Sequence, residues 1–181
     1  MRKALQASEL MSYLYQLSFD FFREFSRCEF FLKAVGLREP NRKDPTADWG
    51  VFASEIASFL ENPCTHELQA AVTYCSDHPP KKQITREDGF LDWQDVVPDH
   101  KSKTELILRL VCPVRNNPFH GGKFNGHWFE PQRSEDLLKH ALVILNACVS
   151  MNRLMLKKPS NPSFKRDELK ALKNLRGTNA Y

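Results

Sequence analysis

Apolar residues recur at intervals of three, four and seven along most of this chain, and runs of strict apolar–polar alternation are scarce. This spacing places apolar side chains on one face of an α-helix, whereas a half-buried strand needs alternation. The longest such pattern lies between residues 8 and 32 and comprises Leu10, Leu14, Leu17, Phe21, Phe25 and Leu32. The sequence therefore predicts an all-α fold that opens with a long amphipathic helix.

The same spacing predicts two shorter helices next. The second helix is predicted from about residue 49 to 61, where Asn62 and Pro63 end it. The third is predicted to follow Thr65, whose hydroxyl can cap a helix, and to run to about residue 77. Residues 81–100 are predicted as a long loop, packed down by its aromatic residues, with room for one short turn or strand.

Two more helices complete the predicted bundle of about five. Ser102 and Glu105 form a capping-box pattern that opens the fourth helix, which is predicted to end near Asn116. Ser134 is predicted to cap the fifth helix, which is apolar nearly all round. A helix with that pattern is expected at the centre of the bundle.

No linker divides the chain into halves of domain size. We therefore predict a single-domain helical bundle over residues 1–158 and a basic tail, flexible or forming a peripheral helix, over residues 159–181. The stretch 153–181 holds eight Lys or Arg against two acidic residues, so the rest of the chain is slightly acidic although the formal net charge is +4. This distribution argues against a broad nucleic-acid-binding surface on the body.

The chain carries no sign of membrane insertion. Its start, MRKALQASEL, has no continuous apolar stretch, and its best apolar run, 141–149, is about half of the roughly 20 residues that a membrane-spanning helix needs. The five cysteines are an odd number at irregular spacings, which favours reduced thiols over a disulfide framework. We predict a soluble cytoplasmic protein with no membrane partner.

The strongest candidate site is RNNPFHGGK, residues 115–123, between the fourth and fifth predicted helices. Arg115 is a permanent cation whose planar fork fits two phosphate oxygens. His120 can accept a proton near neutral pH, and the two glycines beside it give a flexible backbone. This combination is suited to phosphate chemistry on RNA without a metal ion.

Arg115, the polar Asn116 and His120 match the R-polar-x3-H signature of the HEPN superfamily, all-helical domains many of which are metal-independent ribonucleases. The longer string resembles the plasmid-borne and mobile-element branch, in which an RNN-x-FHGGK-like stretch recurs. Pro118 departs from the aliphatic residue expected there. The resemblance covers the motif strongly and the helical order from about residue 102 to 156 loosely.

The resemblance implies roles for these residues. It makes Arg115 and His120 catalytic and assigns phosphate or RNA binding to Asn116, Asn117 and Lys123, with no metal ion and no cofactor. It also implies a homodimer in which paired motifs share a cleft, with the fourth and fifth predicted helices near the interface. The corresponding role is a bacterial toxin or defence effector that cleaves RNA, with a possible antitoxin partner.

Other interpretations of the motif stay open from the residues alone. A helical bundle of this kind can bind RNA, a nucleotide or a partner protein without cleaving anything. Alternatively, Arg115 and the asparagines cap the fourth helix, and Gly121 and Gly122 supply the positive φ angles of a structural turn. His127 and Trp128 could line the same cleft, although plugging the hydrophobic end of the bundle is the favoured role for Trp128.

Two weaker patterns are also present. Arg133 and His140 form a second Arg-to-His pair, seven positions apart where Arg115 and His120 are five apart. They straddle the predicted start of the fifth helix and lack adjoining asparagines and glycines, so we interpret the pair as a chance match. The residue types of a zinc site occur in Cys64, His66, Cys75 and His78, but their spacing is irregular. We therefore predict no metal site.

Overall fold

A computed structural model describes the backbone of residues 2–116 and 130–155 and the side chains of residues 9–115 and 130–151. Within these residues it contains six helices and one two-stranded sheet. In chain order the elements are α1 Arg2–Ala34, α2 Trp49–Glu55, α3 Ala57–Glu61, α4 His66–Asp77, β1 Lys82–Thr85, β2 Leu91–Gln94, α5 Lys103–Asn116 and α6 Pro131–Met155. The described chain is mostly helical, which confirms the helical part of the predicted all-α fold, and the two-stranded sheet departs from it.

The long first helix is present and extends beyond the predicted bounds at both ends. Its apolar stripe is buried as expected, with Leu14, Phe21 and Leu32 fully inaccessible to solvent. Gly36 ends the helix at a φ of 85°, which a residue with a Cβ adopts only at a cost. The Leu37 amide then donates to the Leu32 carbonyl over 2.9 Å, the bond that closes a Schellman turn.

The second predicted helix is divided into α2 and α3. The break falls at Ile56, which has a φ of −111° and a ψ of 13°. Just after it, the buried Thr104 hydroxyl of α5 donates to the Ala57 carbonyl over 3.3 Å. Because this contact joins residues far apart in sequence, the spacing of apolar residues gave no sign of the break.

Two of the three predicted helix caps, those at Thr65 and Ser102, are confirmed. The Leu68 amide donates to the Thr65 hydroxyl over 3.2 Å at the start of α4. At the start of α5, the Glu105 amide donates to the Ser102 hydroxyl over 3.1 Å. The carboxylate of Glu105 reaches back to accept from the Lys101 amide over 2.8 Å. The first of these bonds satisfies an amide of the first helical turn that has no helical partner, and the second ties the residue before the cap to the helix.

Glu105 is expected to contribute an acid-sensitive part of the stability. Its buried carboxylate accepts from the Lys101 amide and from Arg109 Nε over 2.8 Å each. These bonds lower the pKa of Glu105, so its contribution is present above about pH 4.3, the ordinary value, and is lost as pH falls through the folded value. Glu105→Gln is expected to cost about 1–3 kcal/mol at pH 7 in urea unfolding.

The matched control for that variant is Glu61→Gln, at an exposed position. The cost of Glu105→Gln should shrink at pH 3, where the wild-type carboxylate is protonated more often, while the control stays near wild type at both pH values. A Glu105→Gln penalty that is the same at pH 7 and pH 3 would contradict a role for the charge.

The predicted loop over residues 81–100 contains a β-hairpin, which corrects the sequence prediction. Strands β1 and β2 pair antiparallel, with Gln83 opposite Trp93. Gly89 takes a φ of 82° in the turn, and the Asp88 carboxylate accepts from the Phe90 amide over 3.1 Å. Phe90 is 71% exposed, so this aromatic residue does not pack the loop down. The Asp-Gly pair was the available turn signal.

The last helix, α6, begins at Pro131 and not at Ser134. Proline suits the first helical position because its missing amide proton has no helical acceptor there, and the Ser134 amide is already bonded to the Glu130 carbonyl over 2.9 Å. The predicted central position is confirmed, since α6 packs mainly against α1 and α4. Among its described residues, the fully buried ones are Leu138, Ala141, Ile144, Leu145 and Cys148.

None of the helices in the described ranges holds a stretch long and apolar enough to cross a bilayer.

Candidate functional site

Arg115, the first residue of the RNNPFHGGK motif, lies in the last turn of α5, as the sequence predicted. Its side chain is half-buried against α1. The Arg115 Cζ atom lies 5.6 Å from the centre of the Phe25 ring and 6.0 Å from that of Phe22. These distances fall within the range of cation–π attraction. The aromatic contacts therefore help to orient the guanidinium beside the middle of α1.

The two phenylalanines differ in exposure. Phe25 is buried and continues into the core, with its ring centre 5.3 Å from that of Trp49. Phe22 is 37% exposed, so its contact with Arg115 lies at the protein surface. The guanidinium thus lies at the boundary between core and solvent.

A second polar group lies near the contact between α1 and α5. It is the thiol of Cys112, one turn before Arg115 on α5. Burial raises the pKa of Cys112 to about 12, and the nearby charge of Glu29 on α1 acts in the same direction. Arg109 and Arg115 oppose the shift. The thiol is therefore neutral at pH 7 and is a poor nucleophile there.

The other members of the predicted site fall outside the described side chains. Asn116 is the last residue of α5, and only its backbone is described. The predicted site residues Asn117, His120, Lys123, His127 and Trp128 all belong to 117–129, between the two described ranges. Their assignments remain predictions.

The second Arg-to-His pair holds α6 against α4. Arg133 Nη2 donates to the Pro79 carbonyl over 2.9 Å, and Nη1 lies 3.3 Å from Glu130. The His140 ring stacks on Tyr74 with 4.3 Å between ring centres. Both residues lie inside α6, which corrects the expectation that they straddle its start. Their contacts are those of helix packing.

The four residues of the weak zinc pattern do not form a cluster in the structure. Cys75 is buried, and burial raises the pKa of its thiol to about 12. Cys64, His66 and His78 are exposed. Among the described side chains, those of residues 9–115 and 130–151, no three His, Cys, Asp or Glu lie close enough together to hold a metal ion.

Sequence reasoning did not identify the two aromatic partners of Arg115. Phe25 was placed in the core stripe of the first helix, and Phe22 belongs to its margin. Neither position carries a signal for a cation contact, because that contact depends on how α1 and α5 cross. The contact between α1 and α5 at Arg115 is the described part of the candidate site.

Comparisons of the chain with family models, with curated proteins and with solved structures returned no match.

Proposed function

We propose that this protein is a metal-independent endoribonuclease of the HEPN type, with Arg115 and His120 at its reaction centre. The observation that supports it best is the placement of Arg115 in the last turn of α5, half-buried on the Phe22 and Phe25 rings. A guanidinium held by aromatic faces at the solvent boundary is a preorganised donor for a phosphate group. The rest of the motif follows directly along the chain.

In the proposed reaction RNA supplies its own nucleophile. His120 removes the proton of the ribose 2′-OH, and the 2′ oxygen attacks the adjacent phosphorus. The bond from phosphorus to the 5′ oxygen breaks, that oxygen takes up a proton, and the upstream strand ends in a 2′,3′-cyclic phosphate. Arg115 binds the phosphate oxygens as charge builds on them. Asn116, Asn117 and Lys123 add donors to the same phosphate or to neighbouring ones.

The proposed enzyme acts as a homodimer. One motif supplies a histidine that can act as the base, whereas the departing 5′ oxygen also needs an acid. A second motif from a partner subunit, as in the HEPN enzymes that this motif resembles, supplies that second histidine. If the protein acts as a toxin, its expression arrests growth, and an antitoxin partner relieves the arrest.

The test is cleavage of a short single-stranded RNA by the purified full-length chain in excess EDTA. The expected result is cleavage that leaves a 2′,3′-cyclic phosphate, identified by its mass one water below that of the linear phosphate. The matched substrate carries 2′-deoxyribose at the cleaved position and should stay intact at that bond.

Three outcomes count against the proposal. Cleavage that stops in EDTA points to a metal-dependent reaction. Cleavage of the deoxy-substituted bond shows that the 2′-OH is not the nucleophile. Binding of RNA without cleavage favours a non-catalytic RNA-binding module on the same helical fold.

A further inference from the structure

Three aromatic rings stack across the contact between α4 and α6. The Tyr74 ring lies between two imidazoles, with its centre 4.5 Å from that of His78 and 4.3 Å from that of His140. Tyr74 is in the last turn of α4, His78 is its C-cap, and His140 belongs to α6. His78 is exposed and His140 is half-buried. Two titratable rings therefore flank a single tyrosine at one end of the helix contact.

One hydrogen bond extends this contact beyond the rings. Arg133, two turns before His140 on α6, donates to the Pro79 carbonyl over 2.9 Å, directly after the end of α4. The buried residues of α4 carry no carboxylate and no imidazole; they are Leu68, Ala71, Val72 and Cys75. Within the described part of the chain, protonation of an imidazole can therefore affect the α4–α6 contact at the C-terminal end of α4, where the chain leaves for the β-hairpin.

The charges around His140 make its protonation in the packed state unfavourable. His78, on the opposite face of Tyr74, and Lys139, beside it on α6, both oppose a positive charge, and burial opposes it more strongly. Asp136, one turn earlier on α6, favours the charge, but its carboxylate also accepts from Gln132 Nε2 over 3.3 Å. At Tyr74, the central ring, the charge of Arg133 lowers the pKa and partly offsets the opposite effect of Asp136. Taken together, these effects lower the pKa of His140.

We propose that the His78–Tyr74–His140 stack is a pH-sensitive clamp, which holds the last turn of α4 to α6 at neutral pH and releases it in mildly acidic solution. The opened state exposes His140 to water, where imidazole takes up a proton below about pH 6.5. The folded state binds this proton less well, so opening becomes easier as pH falls from about 7 and levels off below the folded pKa. The clamp does not depend on the proposed nuclease activity.

The test is amide hydrogen exchange followed by mass spectrometry at pH 7.5 and pH 5.5, with rates corrected for the intrinsic pH dependence of exchange. In the wild-type chain, peptides covering the end of α4 are expected to open more often at pH 5.5, by up to about tenfold, the limit set by protonation of a free imidazole. Peptides from α2 should change little. His140→Phe keeps an aromatic ring on Tyr74 but cannot be protonated. In that variant the end of α4 should show no pH dependence.

The matched control is His100→Gln, which removes an exposed imidazole in the loop before α5 and should leave the wild-type response unchanged. A second measurement needs no variant: the nuclear magnetic resonance titration of the wild-type His140 ring should have its midpoint below 6.5. A midpoint at or above that value overturns the clamp. So does a pH response that persists in His140→Phe or is shared equally by every helix.

Discussion

Replacement of His120 by alanine is expected to slow RNA cleavage by about 100- to 10,000-fold, because the 2′-OH then loses the base that removes its proton. The folded fraction and the helical circular dichroism should match those of the wild-type chain. The measurement is the rate of product formation in EDTA at saturating RNA. His100→Ala, which removes an exposed histidine outside the motif, serves as the matched control and should retain the wild-type rate.

Two substitutions of Arg115 in the same assay separate the effect of its positive charge from that of its planar guanidinium. Arg115→Ala is expected to lower the rate by about 100- to 1,000-fold through loss of a preorganised donor, and Arg115→Lys should restore only part of it because lysine lacks the planar fork. Arg115 also packs on Phe22 and Phe25, so thermal unfolding of both variants must accompany the kinetics. Wild-type rates in the folded His120 and Arg115 variants would refute the site assignment.

The features of this fold that rest on local chemistry could be predicted from the sequence. Thr65 and Ser102 cap helices where their side chains can reach a free amide, and Gly36 ends α1 because the turn needs a positive φ. Each of these signals lies within a few residues of the bond that it makes. The apolar spacing in α1 likewise determines which face of that helix is buried.

The features that were missed depend on contacts between distant residues. Next to the break at Ile56, the Ala57 carbonyl accepts a hydrogen bond from the Thr104 hydroxyl, and Ala57 and Thr104 are 47 positions apart in the chain. The hairpin consists of two four-residue strands, which are too short for a clear alternating pattern. The start of α6 is an exception, since Pro131 was a local signal that favoured an earlier start than Ser134.

The same division applies to the candidate site. The position of Arg115 at the end of α5 follows from the length of the apolar pattern, and the structure confirms it. Its contact with Phe22 and Phe25 could not be predicted, because it depends on the crossing of α1 and α5. The stacking of His140 on Tyr74 has the same origin, since α4 and α6 are joined by a long stretch of chain.

Truncation of Phe21 to alanine should have the largest effect on stability. Phe21 is fully buried on α1 and begins a series of ring contacts, with its centre 6.1 Å from that of Phe25, which in turn lies 5.3 Å from Trp49. Removing the ring leaves a cavity in a core that packs at crystal-like density. We expect a loss of about 3–5 kcal/mol in the free energy of unfolding, measured by urea titration.

The matched control lies on the same helix. Phe19 is 59% exposed, and Phe19→Ala makes the same chemical change in the same secondary structure, so the two variants differ mainly in burial. Phe19→Ala is expected to change the free energy of unfolding by less than about 0.5 kcal/mol. If the two substitutions destabilise the chain equally, the inward face of α1 has been assigned wrongly. The packing of α1 on α6, together with the contact of α1 with Arg115, would then need to be revised, since both rest on the same rotation of the helix.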